Sequence, residues 1–223
     1  MFNNNNKFLL IYLVLMLSAC GQKSNSDEVV TSKEELDKIN ATVAKELSLE
    51  ERKKIILDAM QIFHSKGSKD NSNITHDAFK KVAYYHPAFH FSADEGTRVE
   101  AYVAVPDNYK KTPIVFMEFC YQGRSILNFN KVKILADEKL IYDREMPDSA
   151  LDRTAGSGYF FEVAEEPLDY KDFDMLKSII DAKHVQVRLE GAHDYEDHEL
   201  SEKEKKALGQ VLIAHEQLKK LDG

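Results

Sequence analysis

Hydrophobic and polar positions change their spacing several times along this chain. Residues 8–17 (FLLIYLVLML) form an unbroken apolar run of ten. Residues 33–66 then carry helical spacing. Ile55, Ala59, Ile62 and Phe63 recur on one side, with Ile56 and Met60 beside them. Ser48 and Glu51 form a capping-box pair, and Gly67 suits a helix stop. The earlier part, 33–46, is more polar. Residues 68–73 (SKDNSN) read as a loop. A short helix is expected after Thr75, with Phe79 and Val82 inward, before His86-Pro87 favours extended backbone at 86.

From about residue 97 the period falls to two. Val99, Ala101, Val103 and Val105 alternate with Glu100, Tyr102 and Ala104, and Pro106-Asp107-Asn108 makes a turn. Residues 114–121 (IVFMEFCY) are almost wholly apolar, like a central strand covered on both faces. Val132 and Ile134 alternate with Lys131 and Lys133. A turn at 136–139 leads into 140–142. Residues 143–157 read as a long polar connection, and 159–163 as a short strand. Asp169 is placed to cap a helix bearing Phe173, Leu176, Ile179 and Ile180. Val185, Val187 and Leu189 alternate with Gln186, Arg188 and Glu190 as a further strand. Ser201 and Glu204 form a second capping box, and Leu208, Val211, Leu212, His215 and Leu218 lie on one stripe of a final helix. Glu202 and Glu204 in its first turn and Lys219 and Lys220 in its last suit the helix dipole.

This order predicts an α+β fold. N-terminal helices come first, then a mainly antiparallel sheet of five to six strands, with the helices at 170–182 and 202–221 packed on one face. No internal repeat recurs at a fixed period. Three segments follow: 1–19, 20–32, and a single globular domain at 33–223, with a helical part at 33–90 and a sheet part at 97–223.

The first two segments are defined by chemistry at the start of the chain. The amino group of Met1 and Lys7 give a short positive region ahead of the apolar run. Ten helical residues rise about 15 Å, half of a bilayer core of roughly 30 Å. The run is too short to span and fits the core of a secretory signal peptide. Leu17-Ser18-Ala19-Cys20 follows, and this resembles the lipobox of bacterial lipoproteins. The resemblance covers about 20 residues and implies a diacylglyceryl thioether on Cys20, cleavage just before it, and acylation of the new amino terminus. Small residues at 18 and 19 suit a narrow peptidase cleft, and only a thiol supplies the nucleophilic sulfur. Gly21 stands where an Asp would retain such a protein at the inner membrane, so, if the host is Gram-negative, the resemblance implies its outer membrane, facing the periplasm. Residues 21–32 (GQKSNSDEVVTS) read as a flexible tether reaching roughly 40 Å when extended. Two or three acyl chains meet the two-signal requirement for stable anchoring.

Charge narrows the partners. Losing residues 1–19 removes Lys7, one of the 30 basic residues, and none of the 38 acidic ones, so the formal charge moves from −8 to −9 with His neutral. An acidic body is a poor match for nucleic acid, whose affinity comes from neutralised phosphates, and for anionic lipid. Membrane affinity is expected from the lipid alone. With Cys20 acylated, Cys120 is left without a pairing partner, and its apolar strand suggests a buried structural thiol.

Candidate chemistry is sparse. Ser157 lies between Gly156 and Gly158, but Ala155 breaks the G-x-S-x-G pattern and a strand follows, so a loop is the better reading. His86 and His90 would stand about 13 Å apart if extended, too far to share a metal. His193, Asp194, Glu196, Asp197 and His198 fall within six residues. His193, Asp194 and His198 would be the ligands of a divalent metal if this loop curled. The same residues read as a solvated acidic turn, and that reading is preferred. The acidic clusters at 165–174 and 194–199 lack a calcium-loop pattern and read as charged surface. His215 is expected at the core edge, and His64 near a helix end. Tyr84, Tyr85, Phe89 and Phe91 with His86 and His90 either pack in the core or line a groove.

No catalytic residue and no cofactor is assigned. The leading expectation is a lipid-anchored envelope protein that binds another protein. One version is an immunity or exclusion protein whose acidic face docks on a basic toxin or phage component. The alternative is a periplasmic metal-dependent hydrolase using the 193–198 region. A third is a small-molecule binding module in an aromatic groove, which needs a pocket of roughly 300 Å³ or more.

Overall fold

The computed structural model describes residues 47–64, 73–87, 96–156, 158–169 and 171–222. The apolar run, Cys20, the tether, the expected 33–46 helix, Gly67, the 68–72 loop, Phe89, His90, Phe91 and Ser157 lie outside the described residues.

Helix α1 (Leu49–Met60) begins at the predicted capping box. Ser48 Oγ accepts the Glu51 N–H at 3.3 Å, and Glu51 Oε2 accepts the Ser48 N–H at 2.9 Å. A 3-10 turn, Gln61–Phe63, continues it, and Ile56, Ala59, Met60 and Phe63 are buried.

The helix expected after Thr75 is instead a hairpin of β1 (Ile74–Asp77) and β2 (Val82–Tyr85). Asp77 Oδ1 accepts the N–H groups of Phe79 and Lys80, each at 2.9 Å, and Lys81 closes the turn at φ +56°. Phe79 stands fully exposed at the tip rather than inward. An Asp taking N–H groups two and three residues ahead serves a tight turn as well as a helix start.

The rest of the chain runs β3 (Arg98–Pro106), β4 (Ile114–Gly123), β5 (Lys131–Ala136), β6 (Lys139–Glu145), β7 (Leu151–Gly156), β8 (Tyr159–Pro167), α2 (Asp172–Asp181), β9 (Val185–Glu190), β10 (Tyr195–Glu199) and α3 (Glu202–Leu218). The fold is α+β, with antiparallel sheets and two C-terminal helices. In place of one sheet of five to six strands there are two among the described residues. A curled six-stranded sheet has the order β1-β2-β3-β4-β8-β7, and a four-stranded sheet the order β10-β9-β5-β6. The 143–157 stretch, expected as a connection, completes β6 and forms β7. Of the additional strands, β1, β7 and β10 are edge strands, while β2 lies between β1 and β3. Edges tolerate polar residues on both sides, which erases the alternation that marks interior strands.

One apolar core joins the parts. It takes Val99, Ala101, Val103 and Val105 from β3, Met117 and Phe119 from β4, Val132 and Ile134 from β5, and Val185, Val187 and Leu189 from β9. Leu176 and Ile179 of α2 and Leu208, Val211 and Ala214 of α3 pack into it. Helix α3 lies against β3, α1 and α2.

Three buried charges tie these elements together. Glu204 caps α3, with Oε2 accepting the Ser201 N–H at 2.7 Å, while its Oε1 accepts the Val99 N–H of β3 at 3.0 Å. Lys205 Nζ donates to the carbonyls of Ala182 and Lys183 just past the end of α2, at 3.0 and 3.1 Å. Glu162 on β8 is fully buried, and its carboxylate accepts the N–H groups of Leu127, Asn128 and Phe129 at 2.6, 2.8 and 3.0 Å. Its charge therefore organises the connection between β4 and β5, with Arg153 Nε at 3.5 Å. Gly191 closes on the same connection. A Cβ there would stand 2.2 Å from the Leu127 carbonyl oxygen, so a larger residue has no room.

Candidate binding face

Alternation along β3 and β4 sends their odd-numbered residues to the core and their even-numbered residues to the outer face of the six-stranded sheet. Cross-strand register arranges the outer residues in rows. One row is Arg98, Cys120 and Val163, and the next is Glu100, Glu118 and Glu165. Then come Tyr102 with Phe116, and Tyr84 with Ala104 and Ile114. The face passes from a guanidinium, through three carboxylates, to an aromatic wall.

Side chains directly opposite in an antiparallel pair have Cβ atoms about 4.5–5.5 Å apart, close enough for like charges to repel. Arg98 relieves one end of the carboxylate row, with Nε 2.5 Å from Glu100 Oε1. Glu118, in the middle, is flanked on both sides. Burial, followed by the charges of Glu100 and Glu165, pushes its carboxyl up to about 7 against the pull of Arg98. Burial, then a hydrogen bond to Glu165, raises the Tyr102 phenol above its ordinary value. Burial also pushes the Cys120 thiol up to about 12. Cys120 is thus a buried, protonated thiol at neutral pH, as its apolar strand suggests.

Beside the carboxylate row lies an open cavity of about 440 Å³, whose lining includes Lys80, Tyr84, Tyr102, Ile114, Phe116 and Glu165. Tyr102 and Phe116 stack with centroids 5.2 Å apart, and Tyr84 meets Tyr102 edge-on at 5.8 Å. The His86 ring lies 5.0 Å from Tyr102. Of the aromatic set named from sequence, Tyr84 and His86 thus belong to this face. Tyr85 points to the other side and packs 6.2 Å from Phe63.

The metal candidates are placed differently. His193 and Asp194 are exposed in the turn between β9 and β10, where the Gly191 N–H meets the Asp194 carbonyl at 2.9 Å. Asp194 Oδ1 accepts the Tyr195 N–H at 2.8 Å. His198 lies farther along β10 with Nε2 2.7 Å from Glu204 Oε1, and Asp197 is held by Arg188 at 2.6 Å. The segment expected as an acidic turn is therefore mostly a strand. No group of three His, Cys, Asp or Glu placed to hold a metal occurs among the described residues. His215 sits at the core edge, stacked on Phe173 at 3.3 Å, and burial lowers its pKa.

The carboxylate row escapes sequence reading. Glu118 is visible as the one charge in an apolar strand, and Glu100 as an alternating polar position. Their alignment with Glu165 depends on β4 pairing with β8, which no local pattern specifies. No protein-family model matches the chain, and no curated protein and no solved structure matches it either.

Proposed function

We propose that this chain is a lipid-anchored envelope protein, tethered through acyl chains on Cys20, whose folded body works by binding a protein partner on the outer face of its six-stranded sheet. The observation that carries the reading is the cavity of about 440 Å³. It combines an aromatic wall with an adjoining carboxylate row, on a sheet face rather than within the core. Aromatic surface next to aligned charge supplies contact area and orientation together, as recognition surfaces do. The acidic balance of the chain supports the immunity or exclusion form of this reading, in which the partner is basic. The signal-like start and the Leu17–Cys20 pattern support delivery to the envelope, and Gly21 supports the outer membrane if the host is Gram-negative.

The test is capture in place. Full-length protein with a C-terminal affinity tag is cross-linked in intact envelopes and purified. A defined protein should accompany the wild type and be lost from the Y84A/E165Q double variant. Equal recovery with both chains, or no specific partner in any growth condition, would contradict the reading.

A further inference from the structure

We propose that the cavity beside the carboxylate row receives a basic side chain, a lysine ammonium or an arginine guanidinium, from the protein partner. The inference rests on the reading that the body works by binding a protein at this face, and it adds the chemistry of contact.

Charge complementarity points to this occupant. The cavity is bounded by Asp77, Lys80 and Glu165 as its charged residues. Lys80 Nζ stands 4.0 Å from Asp77 Oδ2, so these two offset each other at the rim. Glu165 then sets the sign of the cavity, and Glu118 stands directly across from it in the strand register. Arg98, the nearby cation, is engaged by Glu100 at 2.5 Å and by the Gly96 carbonyl at 3.1 Å. Burial first, and then the charges of Glu100 and Glu165 against the pull of Arg98, hold the proton on Glu118 up to about 7. An arriving cation would offset the Glu100 and Glu165 charges.

The wall suits the same ligand. Phe116 and Tyr84 are only half-buried and border the open volume. An aromatic face attracts a cation through its quadrupole when the cation lies within about 6 Å. The chain already uses this contact elsewhere, with the Arg188 guanidinium 4.0 Å from the Tyr195 ring centre. A carboxylate beside an aromatic wall distinguishes a long basic side chain from an apolar one, since the stem packs on the rings while the head meets Glu165.

The outer face of the four-stranded sheet makes a useful contrast. Many of its charges are mutually paired, with Lys131 on Asp143, Lys133 on Glu190 and Arg188 on Asp197 at 2.9, 2.7 and 2.6 Å. A cation arriving there must compete with existing partners.

The experiment is fluorescence polarisation of the full-length protein in detergent with a labelled ten-residue peptide of alternating Gly with Arg and Lys. A matched peptide carries citrulline and acetyl-lysine. The charged peptide is expected to bind at least about tenfold more tightly than its neutral match. E165Q should weaken it about fivefold or more, while E145Q, the same charge change on an exposed site of the other sheet, should leave it unchanged. Equal losses in E165Q and E145Q would overturn the assignment, because diffuse charge would then be enough. Binding of tetramethylammonium at this face with no binding of the peptide would also overturn it, in favour of a small free cation. If the peptide fails while an envelope partner is still captured by the wild type and lost from Y84A/E165Q, the basic side chain is wrong and the binding reading stands. If both fail, the binding reading falls as well.

Discussion

Glu118 sits where a sheet gives a carboxylate little room to be charged. It is flanked across both neighbouring strands by Glu100 and Glu165 and partly withdrawn from water. Burial first, and these neighbours second, raise its pKa from 4.5 to about 7. The folded state therefore favours the protonated form. That contribution is complete below pH 4.5, declines as pH rises and is gone above about 7. E118Q, which stays neutral, should match the wild type near pH 5 and be more stable at pH 8, by on the order of 2 kcal/mol. Urea midpoints at the two pH values check this, and a stability gap that stays constant between them would contradict it. Glu204 works in the other direction. Burial raises its carboxyl, but hydrogen bonds from His198, Val99 and Ser201 outweigh burial and hold it below the usual value. Its contribution persists above pH 4.5 and fades on acidification below that. Residue chemistry of this kind was only partly legible. The Ser201–Glu204 box was readable because its partners are three residues apart. The hydrogen bond to Val99 joins residues 105 positions apart and emerges only from packing.

At the scale of elements, legibility followed burial. Strands β3 and β9 and helices α1 and α3 each place apolar residues at a regular period against the shared core, and the chain shows that period. β4 was readable as a strand from its apolar run, but its outer face, expected to be covered, is partly open at Ile114, Phe116 and Glu118. The edge strands carry no such signature. β10 reads Tyr-Glu-Asp-His-Glu, and β7 is exposed along nearly its whole length. The turn between β5 and β6 was readable as a turn but not as a strained one. Asp137 and Glu138 both have positive φ, +45° and +69°, as a two-residue hairpin turn demands. Asp137 compensates by accepting the N–H groups of Lys183 and His184, each at 3.0 Å. No side-chain hydrogen bond of Glu138 is seen among the described residues. E138G should therefore stabilise the fold by about 0.5–1 kcal/mol, since glycine adopts left-handed backbone without the Cβ clash. An unchanged or lowered thermal midpoint would show that the turn is not strained at this position.

At the scale of the whole molecule, the folded body and the start of the chain carry different kinds of information. The folded body offers a curled sheet whose outer face carries carboxylates and aromatics in register, and a second sheet, many of whose charges are internally paired. In the reading proposed above, the start of the chain supplies the address, through an apolar run, two small residues and Cys20. If Cys20 is acylated, every partner the sheet face meets is one that reaches an envelope surface, and the tether sets how far from the lipid it is met. The measurement that bears most directly on this is the intact mass of the native protein extracted from membranes. The account predicts a chain that begins at Cys20 and carries a diacylglyceryl thioether with an added acyl chain. A free thiol at position 20, or a product that still begins at Met1, would contradict it.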